Sequence, residues 1–142
     1  KLGLFGEDIS DKKLIYDLLD WMKKNKADYT NTFCHLMDIK SNDDIYKETN
    51  FIKWTSRWKK RSELNNSSKE NQMKLMKLNN PIVIPRNHKV EEALVEADKG
   101  NLDKIMKLLN ILKKPYANQD ISSEYKLPAP KSSKKYQTFC GT

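Results

Sequence analysis

Glycine and proline are scarce in this sequence, which has only four glycines and five prolines among its 142 residues. Chains built from many tight hairpins need these residues at their turns, so a mainly β-sheet fold is disfavoured. Hydrophobic residues make up 37% of the chain and charged residues 32%, so the core must be small. Helices suit such a composition because each needs only one apolar stripe. We therefore predict an all-α protein.

Cysteine and long apolar segments are also scarce. Two cysteines, Cys34 and Cys140, are too few for the disulfide framework of a small secreted domain. No apolar run approaches the ~18–20 residues that a membrane span requires, and no signal-peptide pattern opens the sequence. We therefore expect a reducing, cytoplasmic setting and no membrane partner.

The sequence motifs of catalytic and cofactor sites are missing too. No G-x-G-x-x-G, Walker A, H-E-x-x-H or C-x-x-C pattern occurs. Four residues of zinc-binding types are present, but their spacing fits no known ligand pattern: Cys34, His35, His88 and Cys140. We expect no catalytic site, cofactor or metal in this chain by itself.

Positive charge is abundant. The formal net charge is +8, and residues 101–142 contain eight basic side chains against three acidic ones. A nucleic-acid-binding protein is one interpretation, with Phe51, Trp54 and Trp58 interleaved among basic residues. Base stacking needs exposed rings beside a basic groove. The i, i+3, i+7 spacing instead places the three rings on one helical face, which favours burial. We expect no nucleic-acid partner and keep this function as the less favoured alternative.

Apolar residues recur at helical spacing over residues 1–117, which we predict to form one irregular helical domain. Helices are expected over residues 10–25, 28–38 and about 51–61, and again after Ser67, which has capping-box spacing to Glu70. The apolar arc of the first helix is broad enough to imply burial against more than one neighbour. That arc contains Leu14, Ile15, Leu18, Leu19, Trp21 and Met22.

A C-terminal αα-hairpin is the clearest local structure. Gly100 is expected to end its first helix and Asn101 to cap its second. The two helices are expected to face each other through apolar stripes, formed by Val90, Ala93, Leu94 and Ala97 in the first and by Leu102, Ile105, Met106, Leu109 and Leu112 in the second. Residues 118–142 lose this periodicity and are predicted to form an extended basic tail that ends in a cysteine-containing segment.

An extended arm precedes the hairpin at residues 80–85, because each of its two prolines forces its predecessor into extended geometry. Arg86, Asn87 and His88 follow at the start of a helix. Asn87 or His88 is expected to cap that helix. Alternatively, the three side chains form a docking motif for a partner surface.

The longest motif of the chain runs from Asn80 to Leu94 and reads Asn-Pro-x-x-Ile-Pro-Arg-Asn-His-x-Val-Glu-Glu-Ala-Leu. Four shorter segments accompany it: residues 1–4 (Lys-Leu-Gly-Leu), 27–33 (Ala-Asp-Tyr-Thr-Asn-Thr-Phe), 115–116 (Pro-Tyr) and 138–142 (Thr-Phe-Cys-Gly-Thr). In this order, the motifs resemble the C-terminal part of the selenoprotein O family, the SelO-type protein adenylyltransferases. The resemblance covers essentially the whole chain.

This resemblance implies an enzyme family with a kinase-like fold that transfers AMP from ATP to protein hydroxyls and uses Mg²⁺. The nucleotide-binding and metal-binding residues of the family lie upstream of the matched region, so none is assigned here. The chain is therefore expected to be a non-catalytic helical module whose partner is the missing kinase-like catalytic part. Which protein is the substrate is left open. An independent helical protein-binding module is the alternative.

Cys140 is the residue to which the resemblance gives a chemical role. The C-terminal cysteine or selenocysteine of the family is implicated in redox control through a bond to a cysteine of the kinase-like part. An inert terminal cysteine is the alternative. Cys34 stands where the family pattern has arginine, so it inherits no role.

Overall fold

The computed structural model describes residues 1–39, 43–118 and 123–130. Within these ranges it contains seven α-helices, one 3-10 helix and no strand, which confirms the all-α prediction. In the described part of the chain, no helix combines the length and apolar character that crossing a membrane requires.

The chain divides into two compact units, an N-terminal unit (Lys1–Pro81) and a C-terminal unit (Ile82–Thr142). The division falls within the predicted extended arm. The N-terminal unit contains α1 (Asp11–Asn25), α2 (Tyr29–Leu36), a 3-10 helix (Asp44–Lys47), α3 (Thr49–Glu63) and α4 (Lys69–Asn79). The C-terminal unit contains α5 (Asn87–Asp98), α6 (Asp103–Leu112) and α7 (Ser123–Lys126).

Aromatic residues of α3 form the centre of the N-terminal unit. Phe51, Trp54 and Trp58 are all buried, as their spacing predicted. The indole Nε1 of Trp54 donates to the carbonyl oxygen of Leu14 at 2.8 Å and so ties α3 to α1. Because the three rings are buried, they do not form the exposed stacking platform on which the nucleic-acid interpretation depended.

Side-chain caps begin three α-helices (α2, α3 and α4) and the 3-10 helix. Asp28 accepts a hydrogen bond from the backbone N–H of Asn31 and starts α2. The cap of α4 is Ser68, which accepts from the backbone N–H of Asn71, so the predicted start at Ser67 was one residue too early. Each side-chain oxygen pairs with one N–H that lacks a partner in the first helical turn.

The predicted αα-hairpin is formed by α5 and α6. Gly100 has a φ of +86°, in the left-handed region that glycine adopts most readily. The N-cap of α6 is Leu102, so the prediction that Asn101 caps this helix is wrong by one residue; Asn101 Oδ1 accepts from the backbone N–H of Asp103 at 3.0 Å from the position before the cap. Before the hairpin, the backbone N–H groups of Ile82 and Val83 both donate to the carbonyl oxygen of Pro115, at 2.7 and 3.2 Å.

The predicted inward stripes of the hairpin are partly wrong. The residues buried on α5 and α6 are Ala93, Leu108 and Ile111. Several residues expected to be inward are about half exposed, namely Leu94, Leu102, Met106 and Leu109. The apolar residues of α6 form one broad face, and the buried Leu108 and Ile111 lie toward one edge of it, so contacts with neighbouring elements decide which part of that face is covered.

The predicted tail contains a helix. Residues 123–126 form α7, and Tyr125 within it is only 6% exposed. The reason is tertiary packing within the C-terminal unit, since four residues are too few to form a helix without it. Residues 131–142, including Cys140, lie outside the described residues.

Candidate functional site

Arg86, Asn87 and His88 lie at the start of α5. Arg86 occupies the N-cap position without a side-chain cap, while Asn87 and His88 are already within the helix. The prediction that Asn87 or His88 caps α5 is therefore wrong. Arg86 Nη2 donates to the carbonyl oxygen of Lys126 at 3.0 Å, which links the beginning of α5 to the end of α7.

Two lysines of the C-terminal unit contact the aromatic ring of α7. The ammonium groups of Lys89 and Lys107 lie 5.9 and 5.5 Å from the centre of the Tyr125 ring. Lys107 also pairs with Glu124 at 2.7 Å, and this hydrogen bond holds the pKa of the Glu124 carboxyl below its usual range. The motif around Arg86 thus lies beside a packed C-terminal segment of the same unit.

The sequence motifs at residues 1–4 and 80–81 meet at an N-terminal arm, residues 1–6. This arm has no regular secondary structure, yet donors from α3 and from the segments after α3 and α4 hold its backbone carbonyls. The donors are Asn80 Nδ2 to Lys1 O at 2.8 Å, Trp58 Nε1 to Leu2 O at 2.9 Å, Asn65 Nδ2 to Gly3 O at 3.0 Å and Arg61 Nη2 to Phe5 O at 3.2 Å. A segment without regular secondary structure has no hydrogen-bond ladder of its own, so these side-chain donors satisfy its carbonyls.

Gly3 lets the N-terminal arm, residues 1–6, lie directly on α4. Its φ is +68°, which disfavours residues with a side chain. A Cβ at this position would lie 2.5 Å from Gln72 Cγ and 2.9 Å from Met76 Cγ. The arm approaches α4 so closely that both the backbone angle and the available space require glycine.

A buried ion pair holds Arg61, one of the residues that donate to the N-terminal arm. Arg61 is 7% exposed, and its Nε and Nη2 donate to the two carboxylate oxygens of Asp11 at 2.7 and 3.0 Å. These hydrogen bonds raise the pKa of Arg61 above its usual value. The planar guanidinium matches a carboxylate in this two-point geometry and still has an N–H for Phe5 O.

Asn65, Arg61, Trp58 and Asn80 were not selected as an arm-binding set by the sequence analysis. Their partners are 56 to 79 residues away, so no local periodicity relates them. The only available signal was that residues 1–4 and 80–81 both belong to the family motifs. These four side chains hold the backbone of the N-terminal arm in one conformation.

The next feature is the placement of the side chains that could bind a metal ion. In residues 1–39, 43–118 and 123–130, no three His, Cys, Asp or Glu side chains converge where they could hold a metal ion. These residues therefore do not fit the divalent cation that the family resemblance implies. Cys34 is a buried thiol, 6% exposed, in α2.

Comparison with known proteins gives consistent matches. The family model described as "Protein adenylyltransferase SelO" matches residues 1–113. A protein nucleotidyltransferase YdiU from Pelagibacter ubique is 51% identical over 144 residues, which cover all of this chain and 30% of that relative. Proteins of the same name from Clostridium beijerinckii and Bacillus mycoides are each 46% identical, and the chain covers 29% and 30% of them. The chain thus spans less than a third of the length of these curated relatives.

Proposed function

Because the chain belongs to the SelO family of protein adenylyltransferases, we propose that it is the non-catalytic C-terminal helical module of such an enzyme. Its partner is a kinase-like catalytic part that precedes Lys1 in the longer protein. The observation that carries this proposal is the extent of the match: the whole chain aligns with nucleotidyltransferases of which it spans about 30%.

The proposal assigns nucleotide chemistry to the catalytic part. Transfer of AMP from ATP to a protein hydroxyl depends on clamped phosphates and metal-bound ligands at the reacting centre. The sequence here has no glycine-rich phosphate loop. ATP, Mg²⁺ and the protein substrate are accordingly proposed to bind outside this chain. The module contributes structure, and the anchored arm is suited to fixing where the catalytic part joins it.

Two further assignments belong to this proposal, and the second of them rests on the family resemblance. We propose a cytoplasmic location, which a buried thiol at Cys34 suits because the cytosol keeps cysteines reduced. We also propose Cys140 as a redox residue whose partner is a cysteine of the catalytic part. Both assignments concern the longer protein.

A chimera tests the module function. In the Pelagibacter ubique relative, the 144 matched residues are replaced by this chain. The chimera, the unchanged relative and the isolated chain are then incubated with radiolabelled ATP, Mg²⁺ and acceptor proteins. We expect label on acceptors with the chimera and the relative, and none with the isolated chain above a heat-killed control.

Thermal unfolding of the chimera serves as the control for folding. Label transferred by the isolated chain would overturn the non-catalytic assignment. An inactive chimera that unfolds as cooperatively as the active relative would overturn the module assignment. That second result would favour the independent protein-binding module instead.

A further inference from the structure

A cavity of about 540 Å³ lies beside the arm in the N-terminal unit. We call it the arm groove. Its apolar lining comes from three helices: Ile15 and Leu19 of α1, Tyr29 and Phe33 of α2, and Leu75 of α4. Lys1 and Leu2 of the arm form one border. A volume of this size lies within the range of pockets that hold a ligand or several side chains.

Three large side chains of the arm groove are left uncovered. Ile15 is 43% exposed, Leu19 38% and Tyr29 49%. Ile15 and Leu19 are one helical turn apart on α1, so they share a face. This is the side of the broad apolar arc for which the sequence predicted a second neighbour. The three exposed side chains thus line one concave apolar surface, where a few further apolar side chains could be buried.

The size of the surface favours a tethered occupant over a free one. A stable interface between separate proteins buries about 800 Å² on each partner, far more than three half-exposed side chains provide. A segment joined to the same chain has an effective concentration of about millimolar or above, so a small apolar contact is enough to hold it. A second copy of this chain lacks that advantage.

The position of Lys1 at the groove indicates which tethered segment occupies it. Lys1 itself borders the groove, where Asn80 donates to its carbonyl oxygen and its side-chain ammonium (Nζ) donates to the carbonyl oxygen of Asn79 at 3.0 Å. The same ammonium lies 5.3 Å from the centre of the Phe33 ring. Because Lys1 borders the groove, residues bonded to its backbone nitrogen begin at this edge of the groove.

We propose that the arm groove binds the segment of the longer protein that leads into Lys1, and that apolar side chains of that segment cover Ile15, Leu19 and Tyr29. The inference rests on the proposed function, in which the catalytic part precedes Lys1. It adds a specific docking surface: the module binds the residues that connect it to the catalytic part.

Thiol labelling measures whether the groove is covered. Ile15→Cys is introduced into the isolated chain and into the Pelagibacter chimera, and alkylation is followed peptide by peptide so that Cys34 and Cys140 are read separately. Ile52→Cys is the matched control, because Ile52 is also a helical isoleucine of this unit, on α3, and is 51% exposed. We expect labelling at position 15 to be at least about tenfold slower in the chimera, because a buried thiol is shielded from reagent. At position 52 the rates should agree within about twofold.

A third protein identifies the occupant. In it, the ten residues before Lys1 in the chimera are replaced by glycine and serine, and labelling at position 15 should return to the isolated-chain rate. Unchanged labelling in the first chimera, or equal slowing at both positions, overturns the proposal. Protection that survives the glycine-serine replacement overturns it as well, because another surface then covers the groove. AMP transfer by the chimera is scored separately: an active chimera with an unprotected groove contradicts this inference alone, and an inactive chimera with a protected groove contradicts the proposed function alone.

Discussion

The side-chain amide of Asn80 donates a hydrogen bond to the carbonyl oxygen of Lys1 at 2.8 Å, across 79 residues of sequence. Asn80 is only 1% exposed, so its amide has exchanged water for this bond. Its Oδ1 also accepts from the Lys1 ammonium at 3.3 Å. One buried side chain therefore fixes both the backbone and the side chain of the first residue of the arm.

Replacing Asn80 should loosen the arm. We expect Asn80→Ala to lower the free energy of unfolding by about 1–3 kcal/mol, because the Lys1 carbonyl loses its partner. The neighbouring Asn79 is the control: it is exposed, and its side-chain amide donates to the carbonyl oxygen of Leu75 within α4. Asn79→Ala should change stability by less than about 0.5 kcal/mol. Urea unfolding followed by tryptophan fluorescence reports on this unit, and equal effects at the two positions would refute the assigned role.

Alanine substitutions at Gly3 and Gly6 distinguish the cost of backbone strain from the cost of steric crowding. Both have a φ of +68°, but only at Gly3 would a Cβ meet neighbouring atoms. Gly6→Ala should cost about 1–2 kcal/mol for the left-handed backbone alone. Gly3→Ala should cost about 1–3 kcal/mol more, because Gln72 and Met76 must move. The same urea titration checks both variants. If Gly3→Ala were no worse than Gly6→Ala, the arm would not lie as closely on α4 as described.

Arg61 and Arg57 form ion pairs on the same helix at different depths. Arg61→Ala should destabilise the N-terminal unit by about 3 kcal/mol, because Asp11, whose side chain is 20% exposed, would lose its ion-pair partner and keep the backbone N–H of Asp8 as a donor. Arg57 is 48% exposed and pairs with Asp17 at 2.7 Å. Arg57→Ala should cost less than about 1 kcal/mol. Chemical denaturation of both variants distinguishes the two pairs, and a loss at Arg61 as small as that at Arg57 would contradict the supporting role given to its ion pair.

Cys140 should react before Cys34 with a thiol reagent. Cys34 is buried in α2, whereas an exposed cysteine has a pKa near ~8.5 and is roughly 3% thiolate at pH 7. In air, the chain should form intermolecular dimers through Cys140. Mass spectrometry after brief alkylation measures both rates. Faster modification of Cys34, or a dominant Cys34–Cys140 disulfide, would contradict the redox assignment.

The sequence predicted the interior of α3 correctly because local spacing decides it. Phe51, Trp54 and Trp58 are widely spaced apolar residues among charged ones, so only one face of the helix can be buried. On α6, by contrast, the apolar face is broad, and its buried part lies at the edge around Leu108 and Ile111. Its orientation follows from tertiary contacts, and the prediction for Leu102, Met106 and Leu109 failed for that reason.

The arm and α7 depend on contacts that no local pattern encodes. Asn80 and Lys1 meet only after α1 to α4 have packed, so neither residue alone indicates the other. Residues 123–126 lack helical periodicity, and α7 is held by Tyr125 packing beneath Lys89 and Lys107. Motif resemblance detected the importance of residues 1–4 and 80–81, and the structure supplies the physical reason.

AMP transfer by the Pelagibacter chimera and by the isolated chain, assayed side by side, tests the central claim most directly. The account predicts that the chimera labels acceptor proteins at a rate within about tenfold of the unchanged relative, a barrier difference of about 1.4 kcal/mol, while the isolated chain transfers nothing above the heat-killed control. Label transferred by the isolated chain, or a folded chimera without activity, would contradict it.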